Sequence, residues 1–340
     1  MANFSQTIGA LADPRIVAQR VFNLVADELA LVETEFGRQA RSNVQVISYL
    51  GDYLRTSGGK RVRPALTILA NYAAGGEGRS ERVIRLATVM EFLHTATLVH
   101  DDIIDNAETR RNRASINARF GNQTAVLLGD WLYMNAFATS LEERSWPILD
   151  ILTKVTRQMT EGELMQLTLL GQTDITETQY FAVLQCKTAY LFSACCEIGA
   201  ILAGADEAAR VGLREYGLQL GTAFQLVDDL LDCTVQDDAL GKAAGADLLE
   251  GKLTLPLIYL LKSDDSWRER LQTIMWDGAY KSVPRATLMD AVKNTGAQSR
   301  VKEKAAGCAD RAREAIAGLP DSLYKDALTE LPAYVLGREY

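Results

Sequence analysis

Two acidic motifs with the pattern DDxxD are the residues best suited to chemistry, one in LVHDDIIDNAETRR and one in FQLVDDLLD. Residues four apart share a face of a helix, so Asp101 would point the same way as Asp105, and Asp228 the same way as Asp232. Like charges at this spacing destabilise a helix by roughly a few tenths of a kcal/mol. Either water on a solvated face or a bound cation must therefore offset the repulsion.

The recurrence of the motif favours the cation. One copy alone is equally consistent with a solvated acidic face, but both copies follow an apolar turn. Oxygen ligands select hard ions, and Mg²⁺ takes one or two carboxylates and leaves its other positions to water or phosphate oxygens. An EF-hand is excluded because its ligands lie on a loop with glycine at the sixth position. The pattern predicts a Mg²⁺ site that a phosphate-bearing substrate completes.

Basic residues lie beside both motifs and in one glycine-containing segment. They are Arg110 and Arg111 after the first motif, Lys242 and Lys252 after the second, and Lys60, Arg61 and Arg63 in GGKRVRP. Glycine lets the backbone approach a ligand closely, and arginine forks match phosphate oxygens. By itself GGKRVRP is more often a basic turn than a site. Together these residues describe a pocket for two polyanions, one held through Mg²⁺ and one held directly.

The elements that position these residues are predicted to be helices. Apolar residues recur at i, i+3, i+4 and i+7, whereas strict alternation is scarce. Ser80 is the predicted N-cap of the helix with the first motif, and Thr254 caps a helix with Pro256 in its first turn. With no low-complexity linker or short repeat, we predict one all-α domain over residues 1–340, in which two helices face each other across one cavity.

Composition excludes several classes. The chain has 340 residues, 48% of them hydrophobic, and a net charge of −8. This is enough apolar material for a sizeable core, and an acidic chain is a poor nucleic-acid binder. Five cysteines without a CxxC pair and only two histidines argue against structural zinc.

The odd cysteine count predicts reduced thiols and a cytoplasmic location. The N-terminus has no signal-peptide pattern, and no apolar run reaches the ~18 residues that a membrane span needs. The best candidate span, YLFSACCEIGAILAG, is too short and contains Glu197.

The chain resembles the trans-type isoprenyl diphosphate synthases, which include the farnesyl, geranylgeranyl and longer polyprenyl diphosphate synthases. The matching segments follow the family's order and cover most of the chain. They are GGKRVRP (58 to 64), HTATLVHDDIIDNAETRR (94 to 111), GNQTAVLLGDWL (121 to 132), KT (187 to 188), FQLVDDLLD (224 to 232) and GKAAGADLLEGKLTLPL (241 to 257). The resemblance implies a helical bundle around a deep central cavity and is greatest to the long-chain members.

The resemblance also implies residue roles. The residues implied to bind the diphosphate of isopentenyl diphosphate are Lys60, Arg63, His94 and Arg111. The implied ligands of about three Mg²⁺ ions, shared with the allylic diphosphate, are Asp101, Asp105 and Asp228. The other motif carboxylates, as direct or indirect partners, are Asp102, Asp229 and Asp232. The residues implied to grip the allylic diphosphate are Arg110, Lys187, Lys242 and Lys252. Two polar groups are implied near the reacting carbons, Thr188 and Gln225.

The implied reaction is the head-to-tail condensation of isopentenyl diphosphate with an allylic diphosphate to an all-trans polyprenyl diphosphate. A homodimer is expected from the family. One departure concerns the segment RRNRAS, which has Asn112 and Ala114 where the family commonly has glycine and proline. It affects the loop after Arg111 but removes no ligand.

Product length depends on the depth of an apolar tunnel below the aspartates. In the family, bulky residues just before the first motif form its floor, and this chain has Ala96 and Thr97 there. We therefore predict an open tunnel and a product longer than farnesyl, about thirty to fifty carbons. If Ala96 only fills space and a deeper side chain closes the tunnel, the enzyme is a short-chain synthase instead.

Three other functions are less consistent with the residues. A class I terpene cyclase would have Ser or Thr and then Glu where Asp232 and Gln236 stand, and would not need GGKRVRP. A di-iron protein would need two ExxH pairs, and EFLH supplies one. A non-catalytic subunit of a heteromeric synthase would not need both aspartate motifs.

Overall fold

The computed structural model describes residues 14–56, 58–111, 113–234 and 245–338, and helices dominate these ranges. The helices of the first half are α1 (Pro14–Asn23), α2 (Ala26–Gln39), α3 (Gln45–Thr56), α4 (Val62–Ala73), α5 (Glu81–Ile104), α6 (Ile116–Phe120), α7 (Asn122–Leu141) and α8 (Trp146–Leu169). Those of the second half are α9 (Glu177–Leu184), α10 (Tyr190–Leu202), α11 (Glu207–Thr234), α12 (Ala246–Leu249), α13 (Leu255–Ser263), α14 (Arg268–Asp277), α15 (Arg285–Asn294), α16 (Ala297–Ala315) and α17 (Leu323–Leu336). The predicted all-α class is confirmed.

Within the described ranges the strands are β1 (Thr109–Arg110) and β2 (Arg113–Ala114), which pair antiparallel directly after the first acidic motif. Arg111 lies in the turn between them with a left-handed φ of 52°. The hydroxyl of Tyr53 on α3 donates to the carbonyl of Ala114 at 2.7 Å. This contact anchors the hairpin that carries the arginine pair.

The two predicted helix starts are at the expected residues. α5 begins after Ser80 and α13 begins after Thr254, with Pro256 in the first turn. Neither side chain accepts a hydrogen bond from its helix. Ser80 and Thr254 thus occupy the N-cap positions with extended backbone, but their hydroxyl groups do not cap the helices.

Helix α10, the best membrane-span candidate of the sequence, is a central core helix. Ten of its residues are buried, and α11, α4 and α8 pack around it. Glu197 is buried within it and accepts a 2.9 Å hydrogen bond from Arg210 of α11. A helix that is apolar on every side is typical of the middle of a large bundle. Among the described residues, no helix is long and apolar enough to cross a membrane.

Helix α11, which carries the second acidic motif, lies unusually close to its neighbours. A Cβ on Gly217 would come within 2.5 Å of the carbonyl oxygen of Phe192, and one on Gly221 within 2.8 Å of the Cα of Ala189. Only glycine permits this approach at both positions. The second motif is thereby held against the start of α10.

A π-helical turn, Gln185–Ala189, joins α9 to α10 and carries Lys187 and Thr188. Such turns are rare and are frequent at functional sites. One hydrophobic cluster contains residues from α1 to α17. That continuity agrees with one domain over 1–340, which stays a prediction. All five cysteines are free thiols in the structure.

Candidate active site

The first acidic motif spans the end of α5. Asp101 is in its last turn and Asp105 is its C-cap, and both side chains are partly exposed. Oδ1 of Asp105 lies 3.1 Å from Nζ of Lys252, which also lies 2.6 Å from Glu250. Burial opposes the charge on Lys252, but Asp105 and Glu250 raise its pKa. Lys252 therefore keeps its positive charge beside this motif.

Asp102 differs from the two flanking aspartates. It is only 3% exposed, and its Oδ1 lies 2.6 Å from the Arg110 guanidinium. The side-chain amide of Asn117 donates to its backbone carbonyl at 3.1 Å. The middle aspartate thus holds the hairpin to α5, while Asp101 and Asp105 remain accessible.

The positive charges near Asp101 do not fully offset the burial of its carboxylate. Burial raises the pKa of Asp101 to about 6, although Lys187 lowers it, and Glu163 and Asp105 raise it further. Lys187 itself lies 2.5 Å from Glu163 and donates to Gln166 at 2.6 Å, both on α8. A cation bound at Asp101 would offset this deficit.

The second motif also has an accessible aspartate followed by a buried one. Asp228 is partly exposed, and its Oδ1 lies 3.2 Å from the guanidinium of Arg338. Asp229 is 6% exposed, and both of its carboxylate oxygens accept hydrogen bonds, from Tyr180 at 2.5 Å and Gln225 at 2.7 Å. Burial, and then the charge of Asp247, raise the pKa of Asp229.

Asp232, the last residue of the motif, faces α12. Its side chain accepts the backbone N–H of Asp247 at 3.4 Å, and its backbone carbonyl accepts from Gly245 at 2.9 Å. Burial, then Asp247, raise the pKa of Asp232. The i, i+4 spacing predicted a shared face for Asp228 and Asp232, but their contacts are with different elements.

A chain of hydrogen bonds joins the π-helical turn to α11. The hydroxyl of Thr188 donates to Oε1 of Gln225 at 2.8 Å, and Nε2 of Gln225 donates to Asp229 at 2.7 Å. Lys187, the neighbour of Thr188, acts electrostatically on Asp101. The turn therefore connects the two acidic motifs.

A basic pocket of Arg63, His94 and Arg111 lies among α4, α5 and the hairpin. Burial lowers the pKa of Arg63 and of Arg111, with Glu91 acting in the opposite direction. Burial also holds the pKa of His94 well below its usual value, and Arg63 and Arg111 lower it further. Nε of Arg63 is buried without a hydrogen-bond partner. These three side chains together attract an anion.

The glycine pair before α4 shapes the entrance to this pocket. Arg111 donates a hydrogen bond to the carbonyl of Gly58. Gly59 has a φ of 153°, and a Cβ there would come within 2.7 Å of the Arg111 side chain. Lys60 is exposed and donates to the hydroxyl of Tyr334 on α17 at 3.2 Å. Glycine is favoured at position 59 because this positive φ strains a residue with a side chain.

Arg61 fixes the other side of this loop. It has a left-handed φ of 49°, and its buried guanidinium lies 2.6 Å from Glu91 of α5 and also contacts Glu33 of α2. The ion pairs join the loop to two core helices. Lys60 and Arg63, on either side of Arg61, are positioned by this anchor.

The two residues predicted to control product length have different environments. Ala96 is 0% exposed and belongs to the hydrophobic core. Thr97 is partly exposed, and its hydroxyl donates to the carbonyl of His94 at 2.7 Å. Their role stays a prediction. Lys242 and Asn112 lie outside the described residues.

Several site residues were not found from the sequence. They are Glu91, Glu163, Gln166, Tyr180, Tyr334 and Arg338. Glu163 and Gln166 stand three apart on one face of α8, which is a signal that the spacing rule could have used. Arg338 lies 110 positions from Asp228, and no local pattern indicates that contact.

The carboxylates fit a hard cation that the substrate helps to bind. In the described ranges, no group of three or more His, Cys, Asp or Glu side chains is placed to hold a metal by itself. Accessible oxygens remain at Asp101, Asp105 and Asp228, each close to or paired with a cationic side chain. Mg²⁺ typically uses few carboxylates and takes its other ligands from phosphate and water.

A family model described as polyprenyl synthetase matches residues 44–287. The chain belongs to this family. Octaprenyl diphosphate synthase of Escherichia coli (strain K12) is 37% identical over 322 residues, which cover 94% of this chain and 99% of the relative. The comparisons confirm the predicted family and the prediction that this polyprenyl synthetase is a prenyltransferase.

Two solved structures share the fold along nearly their whole length. A polyprenyl synthase from Caulobacter crescentus CB15, complexed with calcium and isoprenyl diphosphate, has a TM-score of 0.89 and 35% identity, with 94% of this chain and 98% of that chain covered. A decaprenyl diphosphate synthase from Rhodobacter capsulatus has a TM-score of 0.88 and 34% identity, with 95% and 100% covered. These relatives favour the long-chain members of the family over the short-chain alternative.

Proposed function

We propose that this polyprenyl synthetase condenses isopentenyl diphosphate head to tail with an allylic diphosphate. The product is an all-trans polyprenyl diphosphate longer than fifteen carbons, about thirty to fifty. The observation that supports two diphosphate sites most directly is the separation of charge. Arg63, His94 and Arg111 attract an anion directly, whereas Asp101, Asp105 and Asp228 attract one only through a cation.

The cation is proposed to be Mg²⁺, about three ions for each site, since oxygen ligands and phosphate partners are what Mg²⁺ prefers. The Caulobacter crescentus relative, with calcium and isoprenyl diphosphate bound, supports a divalent metal. When bound, Mg²⁺ neutralises charge on the leaving diphosphate. Asp101, Asp105 and Asp228 would hold it, while buried Asp102 and Asp229 support the surrounding side chains.

The basic residues of the chain bind and orient the substrates. Lys187, Lys252 and Arg110 are paired with carboxylates in this structure and would move to the allylic diphosphate. Lys60 is exposed at the entrance of the basic pocket. It would join Arg63 and Arg111 in binding isopentenyl diphosphate. Such charges, arranged in advance, stabilise negative charge as it develops on the leaving group.

The remaining steps concern the reacting carbons. Thr188 and Gln225 offer oxygen atoms beside the allylic cation, which must be kept from water. The departing diphosphate is proposed to take the last proton, as the family resemblance implies. An apolar tunnel below α5 is proposed to receive the growing chain.

The protein is further proposed to be a homodimer. Leu127, Met134 and Leu141 recur every seven residues on α7 and are 69%, 63% and 50% exposed. A seven-residue apolar repeat on an exposed helix face is typical of helix pairing. The cytoplasmic location stays a prediction.

The test is an assay of the purified chain with isopentenyl diphosphate, Mg²⁺ and primers of five, ten or fifteen carbons. Dephosphorylated products of about thirty to fifty carbons are expected. The variants Asp101→Ala and Asp228→Ala should each lose most turnover, whereas Asp290→Ala, an exposed residue of α15, should retain it. Near-normal turnover of either site variant at saturating Mg²⁺ would contradict the metal assignment, and products of fifteen or twenty carbons would favour the short-chain alternative.

A further inference from the structure

We infer that Tyr180 and Asp229 are positioning residues that act through Gln225 to fix the direction of the Thr188 hydroxyl. In this arrangement the hydroxyl hydrogen of Thr188 points into the protein, and its lone pairs are left for the substrate. The inference rests on the proposed function, since it concerns the polarity presented to an allylic cation.

The chain of contacts begins at a buried tyrosine. Tyr180 on α9 is 8% exposed, and its hydroxyl donates to Oδ2 of Asp229 at 2.5 Å. Nε2 of Gln225 donates to Oδ1 of the same carboxylate at 2.7 Å. Each carboxylate oxygen therefore acts as an acceptor, one for the phenol and one for the amide. Both oxygens of Asp229 are thus used inside the protein.

The carboxylate determines which way the amide of Gln225 points. An amide has a donor end and an acceptor end, and Asp229 accepts only from the donor end. Oε1 of Gln225 must then face the other way, where the hydroxyl of Thr188 donates to it at 2.8 Å. The amide direction therefore follows from Asp229.

The direction of the Thr188 hydroxyl follows in turn. A hydroxyl has one hydrogen and two lone pairs, and Gln225 takes the hydrogen. Thr188 is 9% exposed, and on that side only lone pairs remain. Lone pairs stabilise a positive charge, whereas an O–H directed at the cation would destabilise it.

Tyr180 is needed because it holds the carboxylate in place. Asp229 and Gln225 are four apart on α11, and without a second contact the Asp229 side chain could rotate about its own bonds. The tyrosine comes from a different helix and fixes the second oxygen. Its loss would release the carboxylate, then the amide, then the hydroxyl.

The experiment is a double-mutant cycle in the purified full chain, with Tyr180→Phe, Thr188→Val and the double variant. We expect Tyr180→Phe to lower kcat about tenfold, the cost of roughly one buried hydrogen bond, with little change in either KM. In the Thr188→Val background, Tyr180→Phe should have no further effect on kcat, since residues that act as one unit are not additive.

The matched control is Tyr259→Phe. The hydroxyl of Tyr259 also donates to a carboxylate, Glu177, at 3.0 Å, but outside this chain of contacts. It should leave kcat near the wild-type value. If Tyr180→Phe does not fold, as judged by its circular dichroism and Tm, the same cycle with Gln225→Met and Thr188→Val decides, and non-additivity is again expected.

Equal fold-losses from Tyr180→Phe in both backgrounds would overturn the inference, as would an unchanged kcat. Additive losses in the replacement cycle would do the same. These outcomes require an active wild-type enzyme and leave the proposed function intact. A wild-type chain without prenyl transfer would instead overturn the proposed function and the inference with it.

Discussion

The guanidinium of Arg338 lies 3.2 Å from Oδ1 of Asp228 and 4.3 Å from the centre of the Phe224 ring. Arg338, the second residue after α17, thus provides a cation to the second acidic motif. A metal ion that binds Asp228 must compete with this cation. The contact therefore lowers the affinity of the ligand-free protein for metal.

Replacement of Arg338 by alanine should tighten metal binding. We expect about a threefold lower Kd for Mn²⁺, which prefers the same oxygen ligands as Mg²⁺, because one partly exposed ion pair is worth under ~1 kcal/mol. Titration followed by electron paramagnetic resonance measures this without turnover. Arg313→Ala, which breaks a pair with Asp310 elsewhere, is the control. An equal Kd for all three proteins would show that Arg338 does not compete with the metal ion.

His94 should make the ligand-free protein less stable in acid. Its folded pKa is depressed, so below about pH 6.5, its unfolded value, the unfolded chain binds more protons than the folded one. The free energy of unfolding then falls by up to about 1.4 kcal/mol for each pH unit. Urea unfolding at pH 7 and pH 5.5 should show a smaller loss for His94→Gln than for the wild type. Parallel losses would mean that His94 is protonated in the folded protein.

Glu91→Gln should weaken the loop that binds isopentenyl diphosphate. The buried guanidinium of Arg61 would lose one of its two carboxylates, which costs on the order of 3 kcal/mol in unfolding free energy. The KM for isopentenyl diphosphate should rise more than the KM for the primer. The control is Glu81→Gln, which removes an exposed pair on the same helix. A rise in both KM values by the same factor would contradict the assignment of this loop to one substrate.

Ala96→Tyr should shorten the product. Because Ala96 is 0% exposed, the added ring must displace its neighbours or enter the tunnel, and overpacking costs about 1–3 kcal/mol. Product length is measured by chromatography of the dephosphorylated chains, and Tm verifies the fold. The conservative Ala96→Ser provides the reference. A well-folded tyrosine variant with the wild-type product distribution would refute the open-floor argument.

Charges on the exposed face of α7 should dissociate the homodimer. The double variant Leu127→Glu and Met134→Glu is expected to sediment as a monomer at concentrations where the wild type is a dimer. Leu323→Glu, at a residue 68% exposed on α17, should leave the mass unchanged. A wild-type chain that sediments as a monomer would contradict the dimer itself.

The extent to which sequence predicts this site depends on where each contact comes from. The acidic motifs and the helical fold follow from spacing and periodicity, which are local properties. The roles of Asp102 and Asp229 do not, because both are buried by contacts with Arg110 and Tyr180. A one-dimensional motif gives all its aspartates equal weight, and only the packing separates accessible from buried ones.

Contacts between residues far apart in the sequence could not be predicted from local patterns either. The ion pair of Arg61 with Glu91 depends on how α4 packs against α5, whereas the sequence only grouped Arg61 with the other basic residues of a polyanion pocket. The structure instead places Arg61 in a buried structural pair. The relatives support a product longer than fifteen carbons. The role of Ala96 in setting its length stays a prediction, since Ala96 lies in the core and a tunnel would depend on many side chains at once.

The π-helical turn also bears on how this protein can change over evolution. Such a turn is equivalent to one extra residue within a continuous helix. Deletion of a single residue from Gln185–Ala189 would therefore leave a regular α-helix and keep the directions of α9 and α10. Tyr180 would still reach Asp229, but the segment that carries Lys187 and Thr188 would lose the local conformation that presents them. The extra residue is thus a change that the surrounding packing can gain or lose without rearrangement.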